Sequence, residues 1–246
     1  MEKSITSICL ASADPESKAA FYRDILGMAQ TGPATFRFGS AEAELSFVQG
    51  SGDYAPQPSD LYWKIAIAVP DLDLACLQLI TRGVAVDGPR QFRDLGYLAH
   101  IVDPEGFQIE LIQHVFDGEP KPSLQDPEAL GGGPSLNLVT LRTNDIASVR
   151  ALCEERLNMR LLCIEPVELY GFTLYFYAFT DDVPPDLDPT ATANRCWTYQ
   201  RPYTVLEVQH HHEHRAIAQR PEGAPGYCGL KITGLSAPYE LLQLMP

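Results

Sequence analysis

Four glutamates close β-rich runs in the same local setting: Glu44-Leu45, Glu110-Leu111, Glu207-Val208 and Glu240-Leu241. Carboxylates placed this way can be ligands for a divalent ion, bases for proton transfer, or solvated strand ends. Recurrence in four places favours a shared task over four accidents of an exposed edge. Lys64 is a second oddity. In the alternating run from Trp63 to Val69 it shares a face with Ala66 and Ala68, an inward face on which an unpaired ammonium is costly. A solvated strand end is the alternative. Period-two counting sets Thr140 and Arg142 on one strand face, and Gln209 and His211 on the face of Glu207. His100 precedes Glu110 across a turn at a spacing that lets both face the same way.

Other chemistry is harder to assemble. His210-His211-His212-Glu213-His214 has the composition of a metal cluster, but adjacent strand residues point to opposite faces, so few of them can reach one ion. Ser7 and Cys9 share a face without a positioned His, which argues against a nucleophilic cysteine. The six cysteines show no C-x-x-C and read as reduced thiols. Gly131-Gly132-Gly133 lacks the Lys and the strand–helix context of a phosphate loop. With 18 basic against 32 acidic residues the net charge is −14, which repels nucleic acid and anionic lipid. No apolar run is long enough to span a bilayer, and Met1-Glu2-Lys3-Ser4 lacks the pattern of a signal peptide. The expectation is a cytoplasmic monomer or homodimer whose partner is a small molecule, with no nucleic acid and no membrane.

An internal repeat supplies the elements that must position these residues. Leu10, Asp14, Leu26 and Met28 each recur 131 residues later, as Leu141, Asp145, Leu157 and Met159. Each copy reads as a strand, an Asp N-cap and about three helical turns, stopping at Gly27 or Asn158. A looser copy starts near Leu61, with a helix over about 71–82 ending at Gly83, a strand from Gly96 to Val102, the turn Asp103-Pro104-Glu105-Gly106, and a strand from Phe107 to Gln113. A fourth unit, from Gly226, has no room for a helix. Residues 116–134, rich in Pro and Gly, read as a linker. The domains expected are therefore 1–115, with modules one and two, and 135–246, with module three, an insertion, and a vestigial module four.

The run Phe21 to Met28 (F-Y-x-x-x-L-G-M), the strands ending in Glu-Leu, and the hairpin Asp103 to Leu111 (D-P-E-G-F-x-I-E-L) resemble the vicinal oxygen chelate superfamily of glyoxalases, bleomycin resistance proteins and extradiol dioxygenases. The third module, with Leu174-Tyr175-Phe176, Trp197 and Thr204 to Glu207, is most similar to glyoxalase I. The resemblance implies an α+β fold: tandem βαβββ modules forming two cup-shaped curved mixed β-sheets, helices outside, the fourth module truncated. It also implies a divalent metal held by a His or Gln on each first strand and a Glu on each last strand. All four glutamates are present, but the first-strand positions fall on Ser7, Lys64, Leu138 and Gly229. Modules can pair first with fourth and second with third, or first with second and third with fourth. The former gives a cup of Ser7, Glu44 and Glu240, and a richer one of Lys64, His100, Glu110, Thr140, Arg142, Glu207 and His211. Any metal is expected at Glu110 and Glu207 and none in the first-plus-fourth cup; an ammonium between those glutamates would take its place. The function implied is a glyoxalase-like lyase or isomerase acting on a small oxygenated substrate, with Glu110, Glu207, Lys64 and His100 catalytic and Thr140, Arg142 and His211 binding substrate. The alternative is a metal-free binding or resistance protein of the bleomycin-resistance kind.

Overall fold

A computed structural model describes residues 3–218 and 220–234. The first module is β1 (Ile5–Ser12), α1 (Lys18–Tyr22), β2 (Ala29–Gly32), β3 (Thr35–Arg37) and β4 (Glu44–Gln49). The second is β5 (Tyr62–Val69), α2 (Leu72–Thr81), β6 (Asp87–Phe92), β7 (Gly96–Val102) and β8 (Gln108–Gln113). The third is β9 (Ser135–Thr143), α3 (Ile146–Arg150), β10 (Arg160–Val167), β11 (Phe172–Ala178), α4 (Ala193–Tyr199) and β12 (Val205–His211). Of the fourth, β13 (Gly226–Ile232) is described. Tyr239 to Leu242, with Glu240, lie outside the described residues.

The cap chemistry works as the sequence implies. Asp71 accepts from the amide of Leu74, and Asp145 from that of Ser148. Gly27, Gly83 and Asn158 all take positive φ at the ends of their helical segments. Two helices are shorter than their patterns. Asp14 accepts from Ser17, so Pro15 to Ser17 forms a turn and α1 starts at Lys18. After α3 the chain continues as a π-helical turn, Ala151–Arg156. Helix α4, inside the insertion, has no apolar period to announce it.

The strands form a five-stranded sheet, β13-β1-β4-β3-β2, and an eight-stranded sheet, β10-β11-β12-β9-β5-β8-β7-β6. The sheets thus pair module one with the strand of module four, and module two with module three. Of the two pairings the sequence leaves open, this is first with fourth and second with third. The physical reason lies in β5 and β9, which are almost wholly buried. Side by side and antiparallel at the sheet centre, each has both backbone edges paired, whereas separate halves would leave an apolar edge open. Residues 116–134 connect the halves without being a free linker throughout. Leu130 is buried, the amide of Gly131 donates to Gln78, and its carbonyl accepts from Asp71. Gly131 has φ +57°, and a Cβ there would lie 2.7 Å from that of Val69. The glycine run is a close approach to β5 and α2.

Candidate active site

The eight-stranded sheet sets one row of side chains across its concave face. Lys64 on β5 pairs in register with Thr140 on β9, and Thr140 lies beside Glu207 on β12. On the other side of β5, Glu110 of β8 is level with Ala66 and opposite His100 of β7. The Lys64 ammonium donates to Glu110 Oε1 at 2.9 Å and to Glu207 Oε2 at 3.1 Å. Thr140 Oγ1 donates to the same Glu207 oxygen at 2.6 Å. His100 Nε2 is 3.2 Å from Glu110 Oε2. Lys64 and Glu207 are 1% and 2% exposed, so these are interior charges that must compensate one another.

Burial alone would release the Lys64 proton, but Glu110 and Glu207 outweigh it and hold the amine charged. The carboxylates divide. Burial works against ionisation of Glu110, yet Lys64 and His100 together hold it well below the usual carboxylate range. Glu207 is pushed up by burial and by the charge of Glu110, against the pull of Lys64 and Thr140. One cation between two carboxylates fully satisfies only one of them.

Above this row opens a cavity of about 690 Å³, lined by Trp63, Phe92, His100, Glu110, Tyr170, Phe172 and His211 among others, with Arg90, Arg142 and Arg215 at its wall and rim. A small inner chamber of about 50 Å³ continues down to Lys64, Glu207, Glu165 and Tyr199. Arg142 donates to Gln209 and to the carbonyls of Asp60 and Gln57, and its guanidinium lies over Trp63 at 5.4 Å. His211 is 5% exposed, and among the described residues neither of its ring nitrogens has a partner. The structure therefore gathers Lys64, His100, Glu110, Thr140, Arg142, Glu207 and His211 about one cup.

The first-plus-fourth cup is different. Ser7 Oγ is 2.9 Å from Ser46 Oγ, and Glu44, half-exposed, lies 3.7 Å from Arg37. Ser7 and Glu44 are level in the parallel β1–β4 pair, but among the described residues nothing buried and charged joins them. Glu240 is outside the described residues.

The divalent ion implied by the fold does not suit the donors of the richer cup. At the first-strand position of β5 an ammonium, held protonated, occupies the space between the two carboxylates. At that of β9 stands Leu138, which has no donor atom. Among the described residues no three His, Cys, Asp or Glu side chains are grouped so as to hold a metal.

Two participants were missed in the sequence. Glu165 on β10 is 1% exposed and accepts from Tyr199 Oη at 2.7 Å. Burial, aided by the charges of Glu207 and Glu110, pushes its carboxyl up to about 8. Its signal was legible: period two puts Glu165 between Cys163 and Val167 on an apolar face. Tyr199, on a helix in the insertion, left no such pattern. A second buried cation, Lys18, reaches Asp103 at 2.5 Å and lies 4.8 Å over Phe107. It ties α1 to the Asp103–Gly106 turn, which explains why that turn begins with Asp.

Residues 4–111 match the Glyoxalase/Bleomycin resistance protein/Dioxygenase superfamily. No curated protein sequence matches the chain. Among solved structures, glyoxalase I from Zea mays superposes with a TM-score of 0.63 at 18% identity, over 94% of this chain and 74% of that one. A putative dioxygenase from Bacillus subtilis subsp. subtilis str. 168 gives 0.54 at 15% identity, over 94% and 70%. TnmS3, an antibiotic binding protein from Streptomyces sp. CB03234, is 26% identical over 44% of this chain and 93% of its own, with a TM-score of 0.36.

Proposed function

We propose that this chain, whose residues 4–111 match the glyoxalase/bleomycin resistance/dioxygenase superfamily, is a metal-independent member of lyase or isomerase type, moving a proton on a small oxygenated substrate in the cup of modules two and three. The observation that carries this reading is Lys64, fully buried and bridging Glu110 and Glu207 at 2.9 and 3.1 Å. A fixed positive charge there supplies the electrostatic role that a metal would otherwise have. The ammonium is held charged, so it serves as a cation and not as a base. His100 is the group suited to proton transfer. Its ring lines the cavity and Glu110 orients it through Nε2, as a carboxylate orients an imidazole base. Thr140 steadies Glu207.

The test follows a proton directly. Small 2-hydroxy ketones and 2-oxo acids are incubated with the protein in D₂O, with and without a chelator, and C–H exchange is read by NMR. Exchange that persists with chelator and is lost in His100→Ala supports the reading. Exchange that needs added metal overturns it.

A second reading, a binding or resistance protein without turnover, is favoured by one observation. Glu110 and Glu207 are both tied up by Lys64, which makes them poor bases, while the cavity of about 690 Å³ needs no chemistry to hold a ligand. Probes that bind in the cup with no exchange from any of them would select it.

A further inference from the structure

The outer cavity has a charge of its own. The chain carries −14, yet three arginines stand around this opening. Arg90 is already paired, with Asp87 at 2.7 Å. Arg142 and Arg215 have no carboxylate partner among the described residues. Arg142 is anchored by carbonyls and Gln209, contacts that position a guanidinium without neutralising it. His211 lines the same cavity near these two cations, buried, with neither ring nitrogen partnered among the described residues. Burial, with Arg215 and Arg142 beside it, pushes His211 down to about 4, so the ring is neutral near pH 7 and offers one N–H and one lone pair. A buried polar group left without partners is costly unless something visits it.

One wall adjoining His211 is aromatic. Phe92 lies 5.4 Å from Tyr170, Tyr170 lies 6.4 Å from Phe172, and Phe172 meets His211 edge-on at 6.4 Å. That line of rings ends at His211, with Arg142 and Arg215 near it. Such a wall matches a flat apolar body by area and by ring–ring geometry. Glu110, the carboxylate nearest this space, is already held by Lys64 and His100, so it does not oppose an anion at the far wall.

We propose that the outer cavity binds an aromatic carboxylate, its anionic group at His211, Arg142 and Arg215 and its ring along Phe92, Tyr170 and Phe172. This rests on the reading of the second-plus-third cup as the ligand site and names the chemical class that cup would take. The neutral imidazole donates to one carboxylate oxygen. The guanidinium of Arg142, already fixed, meets it without losing side-chain freedom.

The test is a set of matched probes titrated by calorimetry and by the fluorescence of Trp63: phenylacetate, its neutral amide phenylacetamide, acetate, and a neutral 2-hydroxy ketone. Phenylacetate should bind at least about tenfold more tightly than phenylacetamide or acetate, and its affinity should fall as salt rises. Arg215→Gln, at the exposed rim, should weaken phenylacetate about tenfold with an unchanged urea midpoint, and His211→Leu should do likewise. Arg142 also braces backbone carbonyls, so Arg142→Gln would be judged only with its urea midpoint beside it. Equal affinity for phenylacetate and phenylacetamide, or no effect of Arg215→Gln, overturns the inference. If the hydroxy ketone alone reaches Trp63, the cup reading survives and the aromatic-carboxylate class falls. If no probe reaches it, both fall.

Discussion

Replacing Lys64 with Met keeps the length and the apolar stem while removing the one charge that bridges Glu110 and Glu207. At an effective dielectric of about 20, each contact of about 3 Å contributes roughly 5 kcal/mol of gross attraction. Most of this offsets the cost of burying three charges, so the net penalty for removing one partner is about 3–5 kcal/mol. The variant has an escape: one carboxyl can take a proton. Its folded-state value then lies above its unfolded value, so the folded state binds more protons and its stability falls as pH rises between them. Relative to wild type, Lys64→Met should therefore lose about 3–5 kcal/mol at pH 8 and markedly less at pH 5, because each unit by which the carboxyl is raised corresponds to roughly 1.4 kcal/mol. Urea unfolding followed by tryptophan fluorescence at both pH values gives the difference. Adding Glu110→Gln and Glu207→Gln to Lys64→Met should recover most of the loss, since it removes the uncompensated charges. A loss below about 1 kcal/mol at both pH values, or one that does not change with pH, would refute the reasoning.

Three further outcomes are expected. Lys18→Met should cost about 3–5 kcal/mol by stranding buried Asp103, and Lys18→Met with Asp103→Asn should cost less than the single change; additive losses in a denaturant double-mutant cycle would contradict the pair. Glu165, raised to about 8, should make wild-type stability decline as pH rises from about 4.5 to 8, by up to roughly 5 kcal/mol, and Glu165→Gln should flatten that decline in pH-dependent urea melts. Gly131→Ala should cost about 2–4 kcal/mol in thermal or urea unfolding, because the new methyl meets Val69 at 2.7 Å with φ already positive; a neutral effect would mean that the glycine run is not a tight approach.

Much of the site was legible because a strand has only two faces. Alternation grouped Lys64 with Ala66 and Ala68, Thr140 with Arg142, and Gln209 with His211 beside Glu207, and the sheet registers bring Lys64, Thr140, Arg142, Glu207 and His211 to one cup. The caps at Asp71 and Asp145 and the left-handed stops at Gly27, Gly83 and Asn158 were legible because each rests on local backbone chemistry. The module pairing was not, since β5 and β9 lie far apart in sequence and either arrangement satisfies the same alternation. What decides is burial of both edges of two apolar strands, a property of the assembled sheet. Tyr199 escaped for the same reason: it enters the site from a short helix in an insertion that no period predicts. The Gly131 approach looked like a linker because glycine marks free chain and close contact with the same letter.

The central claim is that the Lys64 ammonium stands where a metal would otherwise join Glu110 and Glu207. Metal analysis of protein purified without an affinity tag, followed by titration with Ni, Zn, Mn and Mg read as a shift in melting temperature, tests it most directly, with Lys64→His measured alongside. Wild type should carry far less than one equivalent of metal and show no metal-dependent stabilisation, and Lys64→His should gain Ni or Zn stabilisation, because an imidazole then joins two carboxylates. One equivalent of metal in the wild-type protein that is lost in Glu110→Gln and Glu207→Gln would contradict it.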